Sequence, residues 1–332
     1  MKYDAILIVT FGGPDKMEDV LPFLENVLQG KNVPRERMLE VAHHYELFDG
    51  KSPINEQNAE LKHLLEERME RTPPRLPVYI GNRNWHPMLP DTLREMKADG
   101  VKRALAFIAS GYGCYSGCRQ YREDIARARD EVGEGAPEVD KIRVFYNHPL
   151  FVQANADHVR SALDRIPASP HADAALIFTA HSIPTAMAAK CRYEAQLAEA
   201  ARLVAEMVGH ERWELVYQSR SGPPHQPWLE PDVCDVIRER AGQGVKHMVL
   251  SPIGFTSDHM EVLFDLDTEA KELCDELGVQ MERAPAAGHH PLFIEMVHDL
   301  IAERIEDRPE RPAIGRHKAS HDVCPATCCM PS

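Results

Sequence analysis

The stretch LIFTAHSIP, Leu176–Pro184, is apolar and rich in strand-favouring residues until it stops on His181-Ser182, with Pro184 stiffening the exit. A short, unbroken apolar run of this kind reads as a strand buried on both faces of a parallel sheet. In open α/β sheets the ligand sits beyond the carboxyl ends of the strands. The histidine that ends this run therefore stands where chemistry is done. Outward from it, similar runs recur, each followed by a longer amphipathic stretch. Strands are expected at Ala5–Thr10, Val78–Gly81, Arg103–Ala109, Ile142–Phe145, Ala174–Thr179, Glu214–Gln218, His247–Ser251 and Gln280–Arg283. Helices are expected over Asn55–Glu70, Gln120–Val132, Glu194–Val208, Asp232–Ala241 and Met260–Leu277, the last with apolar spacings of three and four. The alternation predicts an α/β fold with parallel sheets and helices on both faces.

The strands split into two groups of four, with YNHPLF at Tyr146–Phe151 as the crossover. The expected organisation is a Rossmann-like domain over 1–147, a second over 148–306, and an irregular cysteine-containing tail over 307–332. The notable residues all follow strand ends: Phe11-Gly12-Gly13-Pro14, Tyr112–Cys118, His181-Ser182, Ser219–Trp228 and Phe255–Glu261. Five loops are thus expected to face one active cleft.

With 332 residues the chain is long enough for a sizeable core, and its formal net charge of −14 argues against a general nucleic-acid binder. No apolar run is long enough to span a bilayer. The opening MKYDAILIVTFGG lacks the length and cleavage site of a signal peptide, so the expected location is the cytoplasm. Eight cysteines in a chain of this length do not make a disulfide scaffold. Cys191, Cys234 and Cys274 read as small buried or half-buried residues.

A lone histidine at a strand end is usually just a hydrogen-bonded residue, but at a cleft a neutral imidazole is a natural proton acceptor. Glu261, Asp265 and Glu269 are spaced by four and share one helix face. A solvated acidic face is the common explanation. A carboxylate row inside a cleft, where like charges repel, is better explained by a visiting divalent cation. Asp258 reads as a helix cap, and His259 as a structural or supporting residue. In YQSRSGPPHQPWLEPD, Gly222-Pro223-Pro224 make a rigid loop, and Trp228 is either a packing anchor or a flat wall for a flat ligand. Arg35, Arg37, Tyr45, Lys51, Ser52 and Gln57 offer donors for carboxylates, although Ser52-Pro53 also reads as a helix cap. Cys324, Cys328 and Cys329 need a fourth ligand, from Cys118 or Cys114, to hold zinc or an iron–sulfur cluster. The competing reading is a disordered tail with oxidisable thiols.

Six stretches, FGGP (11–14), GKSPINEQ (50–57), YSGCRQYRED (115–124), FTAHSIP (178–184), YQSRSGPPHQPWLEPD (217–232) and PIGFTSDHMEVLFDLD (252–267), together resemble the ferrochelatases along nearly the whole chain. The likeness is strongest to actinobacterial-type enzymes that act on coproporphyrin III and carry a 2Fe–2S cluster. The resemblance implies two Rossmann-like domains with a porphyrin cleft between them, and insertion of ferrous iron into coproporphyrin III, with protoporphyrin IX as the alternative substrate. It implies His181 and Glu261 as catalytic and metal-contacting residues, with Asp265 and Glu269 continuing the metal or proton path. Tyr45, Ser52 and Tyr121 fall where relatives contact porphyrin carboxylates, with Arg119, Arg35 and Lys51 as further donors. Phe11 stands where some relatives carry a metal-binding tyrosine, and Trp228 is counted with the substrate contacts. The cluster ligands implied are Cys118, Cys324, Cys328 and Cys329, in a chain expected to be monomeric. Against this stand a chelatase for another metal, a non-catalytic haem or metal carrier of the same fold, and a nucleotide enzyme. FGGP is not a G-x-G-x-x-G fingerprint, which disfavours the last.

Overall fold

A computed structural model describes residues 2–30, 33–167, 173–223 and 225–331; Pro224 of the rigid loop lies outside the described residues. The chain divides into two compact units. Unit 1 takes Met1–Ala109, Tyr121–Ile142 and Val297–Asp307, and unit 2 takes Ser110–Gln120, Arg143–Met296 and Arg308–Ser332.

Unit 1 is built on β1 (Ala5–Thr10), β2 (Val78–Asn82), β3 (Arg103–Ile108) and β4 (Glu138–Lys141), all parallel, in the order β2-β1-β3-β4. Every residue of β1 is buried, as a central strand covered on both faces requires. Ala5, Leu7 and Val9 pack with Leu89, Leu93 and Met96 of the helix Leu89–Ala98, and with Tyr121, Ile125 and Ala128 of the helix Gln120–Val132. The alternate residues Ile6 and Ile8 are equally buried.

The fourth strand differs from expectation. Ile142–Phe145 is buried but irregular, and the strand is the preceding Glu138–Lys141, EVDK. β4 is an edge strand whose residues are exposed or half-buried, so it carries no apolar run. The apolar run marks instead the passage from one compact unit into the other.

Unit 2 repeats the order: β5 (Ala175–His181), β6 (Trp213–Gln218), β7 (His247–Ser251) and β8 (Gln280–Arg283) form a parallel sheet β6-β5-β7-β8. The helix Val233–Gly242 starts at Asp232, whose carboxylate accepts the Cys234 N–H at 2.8 Å. The expected helix from Met260 runs to Glu276, but Leu263–Ala270 has π-helical winding, a departure that apolar spacing cannot reveal. Val262, Leu266, Ala270 and Cys274 form a fully buried stripe that packs with Ile177, Val216, Met248 and Leu250 of the sheet. Burying each large aliphatic side chain is worth about 1.5–3 kcal/mol. Repulsion between like charges at i,i+4 costs only about 0.2–0.5 kcal/mol per pair. The apolar stripe therefore decides how this segment lies. It carries Glu261, Asp265 and Glu269, each one position earlier, along its edge.

The tail after Asp307 contains no helix or strand among the described residues, as expected, yet it is tied down within unit 2. Arg143, 1% exposed, donates to the Pro312 carbonyl (2.9 Å). Asn147 donates to the His317 carbonyl (2.8 Å) and accepts the Ile314 N–H (2.9 Å).

Candidate active site

In unit 2 the chain passes from β5 to β6 on one side, then crosses to β7 on the other. The loops after β5 and β7 thus diverge at the carboxyl edge, the position at which open α/β sheets leave a crevice. His181 is the last residue of β5, and Glu261 follows β7. Gly254 lets the loop after β7 lie against the end of β5: a Cβ there would lie 2.5 Å from the Cβ and 2.7 Å from the Cα of Ala180.

His181 is held from three sides. Its Nδ1 lies against the Ser182 carbonyl, which fixes a proton on that nitrogen. Its own carbonyl accepts the Tyr193 hydroxyl at 3.0 Å. Its Nε2 faces Glu261 Oε2 at 3.7 Å, with side chains 32% and 50% exposed. Burial alone would lower the imidazole pKa; the Glu261 carboxylate, then the Ser182 carbonyl and Asp265, overcome it and lift the value to about 9.

Asp265 is pushed the other way. Burial, with repulsion from Glu261 and Glu269, raises its carboxyl to about 7, against the pull of Ser219 and Gln218. The Ser219 hydroxyl donates to Asp265 Oδ2, and Gln218 Nε2 reaches the same oxygen at 3.1 Å. Glu269 is also raised, by burial and then by Asp232 and Glu272. The site thus sets a His181–Glu261 ion pair beside a buried carboxyl raised to about 7, the kind of perturbed pairing that acid–base chemistry uses.

Gln218 and Tyr193 were not expected as site residues, and Ser219 only as the start of the Ser219–Trp228 loop. The signal for Gln218 lies in the pairing register: it stands opposite His181 between β6 and β5, and its carbonyl accepts the Ser182 N–H at 2.8 Å. Asp258 is not the expected cap. His259 occupies the N-cap position without a side-chain hydrogen bond, and Asp258 instead binds Arg283 Nη1 (2.8 Å) and the Ala286 N–H (3.1 Å). The His259 ring meets the edge of Phe255 at 5.0 Å, and burial lowers its pKa. Trp228 bridges Pro184 and lies on Gly222, where a Cβ would be 2.2 Å from the indole nitrogen. The indole thus packs on this loop, and its buried Nε1 has no hydrogen-bond partner among the described residues.

In unit 1, Phe11 follows β1, is 37% exposed, and meets Phe23 edge-on at 6.1 Å; Phe23 in turn meets Tyr45 at 6.2 Å. Arg83 lies over Tyr121 at 4.5 Å and pairs with Asp124. The FGGP turn, with Gly12 at φ +76, is clasped by Asn55, which donates to the Gly13 carbonyl (2.7 Å) and accepts its N–H (3.2 Å). Ser52 does not cap the following helix; it is buried, and its N–H binds the Pro14 carbonyl at 2.9 Å. Lys51 and Arg37 sit in exposed pairs with Glu56 and Glu40, a kind worth about 0–1 kcal/mol.

Arg119 serves the tail. Its Nη1 donates to the carbonyls of Ala326 (2.6 Å) and Cys328 (3.2 Å), from the π-helical turn Tyr115–Arg119 that also buries Cys118. Cys328 Sγ lies 3.6 Å from Cys329 Sγ and 3.8 Å from His321 Nε2. His321, Cys324 and Cys328 present donor atoms all within 4.8 Å of one another, a set that suits a soft or borderline metal centre. Among the described residues there is no disulfide, and no helix is long and apolar enough to cross a membrane.

The profile of the ferrochelatase family matches residues 3–305. The chain is 59% identical to the ferrochelatase of Rhodopirellula baltica, covering 99% of this chain and 93% of that one. It is 47% identical to the coproporphyrin III ferrochelatase of Nocardia farcinica (100% and 97% covered) and 46% identical to that of Streptomyces coelicolor (98% and 93%). Among solved structures, SirB of Bacillus subtilis with Fe3+ superposes with a TM-score of 0.56 at 13% identity, covering 91% of this chain and 97% of that one. That likeness concerns the fold, and matches the paired four-stranded parallel sheets. By sequence across almost its full length, the chain belongs to the ferrochelatase family.

Proposed function

We propose that this chain inserts ferrous iron into coproporphyrin III. The observation that carries the reading is the His181–Glu261 pair at the carboxyl edge of the sheet, continued by Asp265 and Glu269. Insertion replaces two pyrrole N–H protons with one Fe2+, so two protons leave for each ion that enters. An arriving dication lowers the pKa of a nearby imidazole and drives the proton off the pair. His181 and Glu261 then meet the metal and the pyrrole protons, while Asp265, poised near neutrality, passes protons towards Glu269. A porphyrin bent out of plane exposes its nitrogens to metal and base, and a site that binds that form better than the flat one lowers the barrier. Phe11, Tyr45, Ser52, Tyr121 and Trp228 are the proposed porphyrin contacts. Arg119 is not carried into that set, because its guanidinium is engaged by the tail. The choice of porphyrin is supported by the names of the actinobacterial relatives.

We also propose that the tail holds a metal centre, with a 2Fe–2S cluster on Cys118, Cys324, Cys328 and Cys329 as the form the family resemblance implies. Bound there, such a group would tie the tail to the Tyr115–Arg119 turn by thiolate ligation.

The test is anaerobic mixing of purified protein with Fe2+ and either coproporphyrin III or protoporphyrin IX, followed by loss of free-base fluorescence. Multiple turnovers with coproporphyrin III alone are the expected result. Turnover with protoporphyrin IX alone overturns the substrate, and quenching that stops at one equivalent makes the protein a carrier.

A further inference from the structure

Tyr112 stands in the segment Ser110–Gln120, and Tyr193 opens the helix Tyr193–Val208; both belong to unit 2 and are buried, at 2% and 5% exposed. A buried phenol needs a hydrogen-bond acceptor. Each of these two finds a backbone carbonyl beside the candidate site. We propose that Tyr112 is a positioning residue for iron insertion, acting with Tyr193 to hold the loop after β7 and the end of β5 so that Glu261 stays within reach of His181. The inference rests on the reading of His181 and Glu261 as the catalytic pair.

The same arrangement occurs at both places. The Tyr193 hydroxyl donates to the His181 carbonyl at 3.0 Å, and the N–H of that same peptide, on Ser182, donates to the Gln218 carbonyl at 2.8 Å. The Tyr112 hydroxyl donates to the Ile253 carbonyl at 2.8 Å, and the N–H of that same peptide, on Gly254, donates to the Thr179 carbonyl at 3.0 Å. Each peptide plane is thus fixed at both ends, by a neighbouring strand on one side and a phenol on the other. A planar peptide held in this way cannot rotate without breaking a buried hydrogen bond. The first peptide adjoins the His181 ring, and the second lies in the loop that leads from β7 to Glu261.

The two tyrosines are also set against each other. Their rings meet edge-on, with centroids 6.2 Å apart and planes at 86°. Gln196, on the same helix as Tyr193, accepts the Gly113 N–H at 2.7 Å. The Gly111 carbonyl accepts the Phe145 and Tyr146 N–H groups at 3.2 and 3.1 Å, so the chain on both sides of Tyr112 is anchored. Burial pushes both phenols above their ordinary pKa, and they remain protonated donors at neutral pH. Displacing either peptide changes the 3.7 Å between His181 Nε2 and Glu261 Oε2, on which the attraction of the pair depends.

The experiment compares full-length wild type with Tyr112→Phe and Tyr193→Phe, which keep the rings and remove the hydroxyls. Tyr146→Phe is the control, because its buried ring stacks on Tyr112 at 6.2 Å while the two peptides are held by the other phenols. The His181 pKa and the exchange of the Ser182 and Gly254 amides are read by NMR without porphyrin, so they stand whether or not the proposed reaction is found. Rates with Fe2+ and coproporphyrin III then separate kcat from KM. Tyr112→Phe and Tyr193→Phe are each expected to lower the His181 pKa by about half to one unit and kcat by about tenfold, with KM unchanged. Gly254 exchange should quicken in Tyr112→Phe and Ser182 exchange in Tyr193→Phe. Tyr146→Phe should match wild type in all of these. A His181 pKa that is raised in wild type and equally raised in Tyr112→Phe overturns the inference and leaves the His181–Glu261 pair standing. An equal fall in Tyr146→Phe also overturns it, because loss of any buried hydroxyl would then suffice. An ordinary His181 pKa in wild type removes the pair itself, and the inference with it.

Discussion

Replacing Glu261 with Gln removes the charge that holds the proton on His181, and the size of the effect follows from the geometry. Two unit charges 3.7 Å apart interact by about 4 kcal/mol at an effective dielectric of 20, and by about 1 kcal/mol in bulk water. Glu261 is half exposed and His181 about a third exposed, so screening favours the lower half of that range. At 1.36 kcal/mol per pKa unit, a loss of about 1–2.5 kcal/mol corresponds to a fall of roughly one to two units. Burial pulls in the same direction once the carboxylate is gone. The His181 value should therefore drop from about 9 to the neighbourhood of 7. The sign for stability follows. A histidine whose folded pKa is raised contributes stability that is whole below about 6.5 and is lost as pH climbs to about 9. Wild type should lose stability across that window, and Glu261→Gln should lose less. The assay is NMR titration of the imidazole ring protons, assigned with His181→Ala, alongside urea unfolding at several pH values. A His181 pKa that stays above 8 in Glu261→Gln would refute the pairing as the cause of the shift.

Asp265→Asn removes a carboxyl that titrates near 7. Between about pH 4 and 7 the folded chain holds a proton there that the unfolded chain has lost, so wild-type stability falls as pH rises through this range. The variant should flatten that slope and remove the limb near 7 from the pH–rate profile; an unchanged slope and limb sink the assignment. Gly254→Ala forces a methyl against Ala180 and should cost about 1–3 kcal/mol in urea unfolding, lowering kcat through displacement of His181. A variant as stable and active as wild type would mean that the loop after β7 yields freely at the end of β5. Arg119→Ala should speed amide exchange over residues 321–331 while β5 stays protected, and equal exchange in both proteins would show that other contacts hold the tail.

Strands buried on both faces advertise themselves, because nearly every position is apolar; β1, β5 and β7 were legible for that reason. β4 was not, because its four residues, Glu138–Lys141, are mostly charged and none is buried, so it pairs through its backbone without an apolar run. The same contrast holds in the site. His181 and the row from Glu261 to Glu269 stand out as polar residues beside apolar runs. Gln218 and Ser219 have ordinary neighbours, and their roles arise from strand register and a contact across the fold. Arg119 misled because an arginine signals its charge, whereas here its partners are backbone carbonyls that leave no mark in the sequence. The π-helical winding of Leu263–Ala270 was hidden because the buried stripe repeats every four residues in either winding.

Neither compact unit is continuous in the chain: unit 1 is completed by Val297–Asp307 and unit 2 by Arg308 onward. Chains emerge from the ribosome amino end first, and domains usually fold in that order. Here the first sheet can form early, but its unit stays open until residues beyond 296 have been made. The Arg143, Asn147 and Arg119 anchors must likewise wait for the segment they hold. A nascent chain halted before that point carries both sheets with neither unit closed, a state that exposes apolar surface to chaperones and proteases.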